Sequence, residues 1–371
     1  ASDVYKRQYV LLALVVAFLV AFSATPMVIS LAHKVNAIDV PKDSRRVHKK
    51  PIPLMGGLAI FYGFIVSVAC FATIDIEVMG ILIGCAIIVT TGVIDDITEM
   101  KPIVKLVCQI LAAAVVVYCG VRIEHFANPF SAWFGGPYIV MNYWVSCVVT
   151  MFWIVGICNA VNLLDGLDGL AVGVSSISSI ALLALTLISD NLNVAILTAA
   201  VAGAGFGFLP YNFNPAKIFM GDTGALFLGF ILACISVQGM LKMSAVITFA
   251  VPILILGLPI FDTMFAIIRR VLTGHSPMQA DRGHLHHRLL DMGFSQRRVV
   301  TILYTLTAVL CMTAVVISIK GYGRGLILIC SVLLIILVSI KVMGELHDPG
   351  EYINYNADEQ LTEEDNYNEE D

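Results

Sequence analysis

Long apolar runs separated by short polar links organise this chain, and the runs recur at the length of a bilayer crossing. Spanning a hydrocarbon core of about 30 Å takes roughly 20 apolar residues in a helix. Charge-free stretches of suitable length are Tyr9–Ala32, Pro51–Ile74, Val78–Ile94, Leu106–Val121, Tyr138–Cys158, Gly169–Ser189, Asn191–Ala216, Thr223–Leu241, Met243–Phe261, Val299–Ile319 and Gly325–Ile340. They predict an all-α, polytopic integral membrane protein with about eleven transmembrane helices. The third, fourth and eleventh are short; Lys105, Arg122 and Lys341 extend them by snorkelling.

Composition supports this: 58% of the 371 residues are hydrophobic, 13% are charged and mean hydropathy is +0.89, far from a soluble domain. Tyr9–Ala32 lacks a clear small-residue cleavage site and is expected to be a span rather than a cleaved signal. The formal charge of −5 is dominated by Glu345–Asp371, whose eleven carboxylates leave 16 acidic against 22 basic side chains elsewhere. Residues 344–371 are therefore expected to form a disordered, solvated tail behind a transmembrane domain at 9–343. Ala1–Gln8 opens without Met and is set outside that domain. The nine cysteines sit in apolar spans without a C-x-x-C pair, which suits small buried hydrophobes rather than a disulfide framework.

Eleven spans place alternate links on opposite sides. One side collects 16 Lys and Arg, mostly from His33–Lys50 and Asp262–Arg298, and the other 6. The positive-inside rule makes the first side cytoplasmic. Every polar cluster of interest falls there, at span ends. A channel or transporter places polar groups near mid-span, often in broken helices. An enzyme with its active site on the cytoplasmic face is the better reading, with lipid rather than nucleic acid as partner.

Five clusters carry the chemistry. Arg45–Gly57 is basic and ends in Gly56-Gly57; it suits a membrane anchor or a lip for a phosphorylated substrate. Asp95 and Asp96 close a span, where adjacent carboxylates repel and a helix C-terminus disfavours anions; Lys105 can pair with one. Asn159–Ala171 holds Asn162 and, in a tandem Asp-Gly-Leu repeat, Asp165 and Asp168, and a helical turn would put the two carboxylates on one face. Asp222, between Gly221 and Gly224, precedes an apolar helix as a cap or beside a phosphate site. Asp281–Leu289 gathers Arg282, His284, His286, His287 and Arg288, an anion pocket rather than a zinc centre because no Cys or second His cluster completes the latter. Carboxylates together with substrate phosphates suit Mg²⁺, and basic groups neutralise the remaining charge. These clusters point to Mg²⁺-dependent phosphoryl transfer involving a lipid.

The same motifs resemble the polyprenyl-phosphate N-acetylhexosamine-1-phosphate transferases from about Tyr9 to Met343. The resemblance rests on Ile52–Gly57, Asp95-Asp96, Asn159–Gly169, Gly221–Gly224 and Asp281–Leu289. Ala280–Leu289 looks most like bacterial enzymes that start wall teichoic acid and related surface polymers. The relative that transfers phospho-MurNAc-pentapeptide carries three consecutive histidines followed by Phe-Glu, whereas here Leu285 interrupts the run and Arg288 comes after it.

The resemblance implies transfer of N-acetylglucosamine 1-phosphate from UDP-GlcNAc to undecaprenyl phosphate in the bacterial cytoplasmic membrane, releasing UMP. It also implies that Asp222 binds Mg²⁺ (or Mn²⁺), that Asp95 activates the acceptor phosphate and that Asp96 supports both. Asn162, Asp165 and Asp168 would line the nucleotide-sugar pocket. Lys49, Arg282, His284, His286 and His287 would contact substrate. Direct transfer and a covalent phospho-sugar on Asp95 both fit; alternatives are another UDP-sugar donor or a transporter.

Overall fold

The structure, a computed structural model, describes residues 2–40, 50–127, 138–189, 191–240, 250–273, 283–320 and 330. It is a helical bundle: α1 (Ser2–Lys34), α2 (Gly57–Phe71), α3 (Ile76–Thr98), α4 (Pro102–Tyr118), α5 (Tyr143–Leu164), α6 (Leu170–Ile188), α7 (Leu192–Asn212), α8 (Gly221–Met240), α9 (Ala250–Ile255), α10 (Gly257–Leu272), α11 (Leu285–Asp291) and α12 (Gln296–Lys320). Two short antiparallel ribbons join them. β1 (Ile38–Asp39) pairs with β2 (Ile52–Pro53), Ile38 opposite Pro53, and β3 (His125–Ala127) pairs with β4 (Tyr138–Val140), Phe126 opposite Ile139.

Among the described residues, 7 helices are long and apolar enough to cross a membrane, while α2 and α4 are shorter apolar helices. The protein is a polytopic helical membrane protein. The expected eleventh span lies outside the described residues apart from Cys330, as does the acidic tail. Helix α1 begins at Ser2, upstream of the expected boundary at Tyr9. The nine cysteines are all free thiols.

Helix α8 is the bundle's axis. It packs against α2, α3, α5, α6 and α7, and Phe227, Phe230, Ile231 and Cys234 are completely buried. Trp153 Nε1 of α5 donates to Ser236 Oγ of α8 at 2.9 Å, satisfying a half-buried indole N–H. Helix α1 seats on α7 through small residues: a Cβ at Gly203 or Gly207 would lie 2.1 Å from Leu14 O or 2.3 Å from Phe18 O. Only glycine lets these backbones meet, the packing device of helices surrounded by lipid. On its other side α1 exposes Leu11, Leu12, Leu19 and Met27.

The ninth expected span departs from its prediction. The helix breaks at Leu256, and Ile255 O, freed there, accepts from Ser178 Oγ at 2.8 Å. Helix α10 then continues to Leu272, through the beginning of what was expected to be a loop from Asp262. Its pattern is inside-out: Phe261, Met264, Phe265, Ile268 and Leu272 are exposed, whereas Asp262 and Arg270 are buried. An apolar outer face with a polar inner one suits a helix bathed in lipid.

Candidate active site

The site is built where α3 and α8 meet. An α-helix leaves its first N–H groups without internal partners. For α8 those donors are satisfied from another helix: Asp96 Oδ1 accepts from Asp222 N at 2.8 Å, and Asp96 Oδ2 accepts from Thr223 N at 3.3 Å and Thr223 Oγ1 at 2.6 Å. The positive helix end offsets the cost of burying a carboxylate at the negative end of α3. Gly221 makes the approach feasible, with φ of +68° and no Cβ, which would lie 2.4 Å from the Asp96 carboxylate. The Ile52–Gly57 motif locks the same turn: Gly56 N donates to Phe219 O at 3.0 Å and Gly57 N to Met220 O at 2.9 Å.

Asp95 and Asp96 therefore turn to different partners. Asp95 turns to Lys105 of α4, whose Nζ lies 2.6 Å from Asp95 Oδ2 and 2.6 Å from Asp222 Oδ2. Asp95 Oδ1 also accepts from Met100 N at 2.6 Å, and Asn162 Nδ2 donates to Asp222 Oδ1 at 3.2 Å. One ammonium thus bridges carboxylates from α3 and α8, and Lys105, expected to pair with one of the Asp95 and Asp96 acids, meets Asp95 and also Asp222. One turn after Lys105 in α4 and one turn before Asn162 in α5, Asn159 Nδ2 donates to Gln109 Oε1 at 2.6 Å and braces the two helices.

The second acidic pair is arranged differently from its expectation. Helix α5 ends at Leu164 and α6 begins at Leu170, so Asp165 and Asp168 lie in a link rather than on one helical face. Glycine shapes that link: Gly169, before α6, has φ of +78°, and a Cβ at Gly166 would lie 2.4 Å from His286 Nε2. Asp168 Oδ2 accepts from Asn214 Nδ2 and Ala216 N, both at 3.0 Å, and so staples the link to the turn after α7. Among the described residues no hydrogen bond reaches the Asp165 side chain. Burial, then the negative charges of Asp222, Asp96 and Asp168, pushes its carboxyl up to about 8.

The three histidines also diverge. His284 is buried, its Nδ1 2.8 Å from Asp262 Oδ2, while Leu285 N donates to Asp262 Oδ1 at 2.7 Å. His286 is 2% exposed, and among the described residues neither ring nitrogen has a hydrogen-bond partner. Burial, then the adjacent His287, lowers its pKa to about 4. His287 lines the cavity. Lys49 and Arg282 lie outside the described residues.

Asp95, Asp96, Asn162, Asp165, Asp168, Asp222 and His287 all line one cavity of about 920 Å³ at one end of the bundle. Asp262 and Lys105 complete the surrounding network; Asp262 carries no local sequence signal, because its partner His284 arrives from a later segment. Among the described residues, no three His, Cys, Asp or Glu side chains converge as a ready-made metal site. Mg²⁺ needs only one or two carboxylates when substrate phosphates supply further oxygens. The oxygen-rich wall and the unpartnered Asp165 carboxylate fit such an ion.

Residues 78–240 match the glycosyl transferase family 4. The chain is 36% identical over 343 residues to the probable undecaprenyl-phosphate N-acetylglucosaminyl 1-phosphate transferase of Bacillus subtilis (strain 168), covering 91% of this chain and 93% of that protein. It is 32% identical over 332 residues to the decaprenyl-phosphate N-acetylglucosaminephosphotransferase of Mycobacterium leprae (strain TN), covering 82% of each. A phospho-N-acetylmuramoyl-pentapeptide-transferase of Desulforudis audaxviator (strain MP104C) is 32% identical over 346 residues, covering 85% of this chain and 99% of that protein. With the motifs gathered around one cavity and the likeness running nearly end to end, the chain belongs to glycosyl transferase family 4, among its polyprenyl-phosphate sugar-1-phosphate transferases.

Proposed function

We propose that this protein transfers N-acetylglucosamine 1-phosphate from UDP-GlcNAc to undecaprenyl phosphate on the cytoplasmic face of a bacterial membrane, releasing UMP. The product would be the first lipid-linked intermediate of a surface polymer of the teichoic-acid type. The observation that carries this reading is the meeting of Asp95, Asp165, Asp222 and His287 around one cavity of about 920 Å³, large enough for a nucleotide sugar. The Bacillus subtilis and Mycobacterium leprae relatives bear names with the same sugar phosphate. The excess of 16 Lys and Arg over 6 across the predicted links supports the sidedness.

In this chemistry an oxygen of the acceptor phosphate attacks the sugar-bearing phosphorus of the donor, and the bond to UMP breaks with its electron pair leaving on UMP. One diphosphate linkage replaces another. Asp222, with Asp165 nearby, would hold Mg²⁺, which supplies positive charge against the donor diphosphate. Lys105 bridges Asp95 and Asp222, offsetting the repulsion between the two carboxylates, and would offer an ammonium to incoming phosphate. A phosphate monoester has its second pKa near about 6, so the acceptor is mostly dianionic at neutrality. Asp95 is then needed as proton acceptor mainly below about pH 6.

The order His284-Leu285-His286-His287-Arg288 favours UDP-GlcNAc over the MurNAc-pentapeptide donor, although a relative with the latter name also matches. Purified protein with undecaprenyl phosphate, Mg²⁺ and either donor decides this. UMP release together with a GlcNAc-bearing lipid diphosphate is expected from UDP-GlcNAc. Comparable turnover of UDP-MurNAc-pentapeptide would defeat the donor assignment, and turnover of neither would defeat the reading.

A further inference from the structure

The buried face of α10 carries a carboxylate on a helix whose other face is apolar and exposed. Placing an anion there is expensive unless it is fully engaged. Asp262 is fully engaged: one oxygen takes the His284 ring at 2.8 Å and the other takes Leu285 N at 2.7 Å. An ionised carboxylate only accepts, so His284 Nδ1 carries the proton of that bond. His284 is also the residue before α11, and its own side chain makes no capping hydrogen bond to that helix. The cap comes instead from Asp262.

Beyond Leu285 the chain reaches the cavity. The His286 ring lies parallel to His284, with centroids 5.8 Å apart and planes at 10°, and 4.3 Å from the ring of His287. His286 in turn abuts Gly166, beside Asp165, leaving no room for a Cβ. The grip on His284 is thereby passed through the neighbouring His286 ring to the link that carries Asp165 and to His287 at the cavity wall.

We propose that Asp262 is a positioning residue for the transfer reaction: its two-point hold on His284 and Leu285 N sets the start of α11, and with it the placement of His286 against Gly166 and of His287 in the cavity. This rests on the transferase reading of that cavity. Asn at this position keeps one acceptor but turns an amide N–H₂ toward either Leu285 N or His284 Nδ1. The ring is relieved only if the His284 proton moves to Nε2.

The test uses the full chain in detergent, ¹⁵N-labelled at histidine, with UDP-GlcNAc as donor and undecaprenyl phosphate as acceptor. Wild type should show His284, identified by loss of its signals in His284→Gln, protonated at Nδ1. Asp262→Asn should move that proton and lower kcat/KM for the donor by roughly 10- to 100-fold, mainly through KM, with KM for the lipid within about twofold. Asp262→Asn/His284→Gln should be no worse than the worse single variant, because both act through one contact. Asp262→Glu, which keeps both acceptors, should recover part of the loss.

A wild-type His284 lacking the Nδ1 proton would overturn the proposal even if Asp262→Asn fails to fold. So would a switched tautomer with kcat/KM within twofold of wild type, or losses that multiply in the double variant. Because the tautomer is read without substrate, failure of wild type to turn over UDP-GlcNAc strikes the transferase reading and leaves the Asp262–His284 contact to be judged separately.

Discussion

Two acidic pairs face the same cavity, and each divides its labour. In the first, Asp96 is committed to the start of α8 through three donors, while its neighbour Asp95 meets Lys105. In the second, Asp168 is committed to Asn214 and Ala216, while Asp165 meets no donor among the described residues. The pairs differ in counter-charge: the first has an ammonium 2.6 Å from Asp95 and from Asp222, and the second has none in contact among the described residues. A site that holds one cation and leaves another carboxylate unpartnered has room for a further positive charge.

The largest expected effect is that of Asp222→Asn, which removes the charge shared by Lys105 and the proposed metal. UMP release should fall by about 10²- to 10³-fold across the pH range, with partial rescue by high Mg²⁺ at most. A variant that recovers fully at high pH would give Asp222 the proton-accepting role assigned to Asp95.

Asp165→Asn sharpens the contrast further. A carboxyl whose pKa is pushed up to about 8 when folded binds its proton more tightly in the folded than in the unfolded state. Asp165 therefore contributes a loss of stability as pH rises from the ordinary carboxylate range through about 8, and the Asn variant lacks that contribution. In chelator, the variant's melting temperature should exceed that of wild type above pH 8, and Mg²⁺ should narrow the gap. Turnover should fall by roughly 10- to 100-fold. A variant less stable than wild type at high pH would contradict the unpartnered carboxylate.

Asp168→Asn should have the smallest effect. Its Oδ2 alone accepts both bonds, and an Asn carbonyl can keep them, so thermal unfolding should report a change below about 1 kcal/mol. Loss of turnover on the scale of Asp165→Asn would erase the distinction within this pair.

Much of the architecture was legible from hydrophobic run lengths, because lipid demands long apolar helices and leaves polar groups few places to stand. The end-of-span position of Asp95, Asp165 and Asp222 was legible for the same reason. Pairing at a distance was legible only in part. Lys105 reads as the edge of an apolar span and as a partner for one of Asp95 and Asp96, but that folding also brings it to Asp222 was not legible. Asp262 reads as the first residue of a loop, yet it sits in α10 and holds His284. The shared face expected for Asp165 and Asp168 failed because α5 ends at Leu164, before either residue, and α6 begins only at Leu170, after Gly169, whereas periodicity assumes that the helix continues.

The most direct test compares two residues adjacent in sequence, Asp95 and Asp96, by measuring UMP release and thermal unfolding on Asp95→Asn and Asp96→Asn side by side. Asp95→Asn keeps an acceptor for Met100 N and loses its charge toward Lys105, so turnover should drop by about 10²-fold, most steeply below about pH 6, with melting shifted by less than about 2 °C. Asp96→Asn turns an amide toward the donors of α8, so melting should fall by roughly 3–6 °C while turnover at 25 °C stays within about tenfold of wild type. Equal losses in both measurements for both variants would contradict the division into a carboxylate that meets the substrate and one that holds the helix behind it.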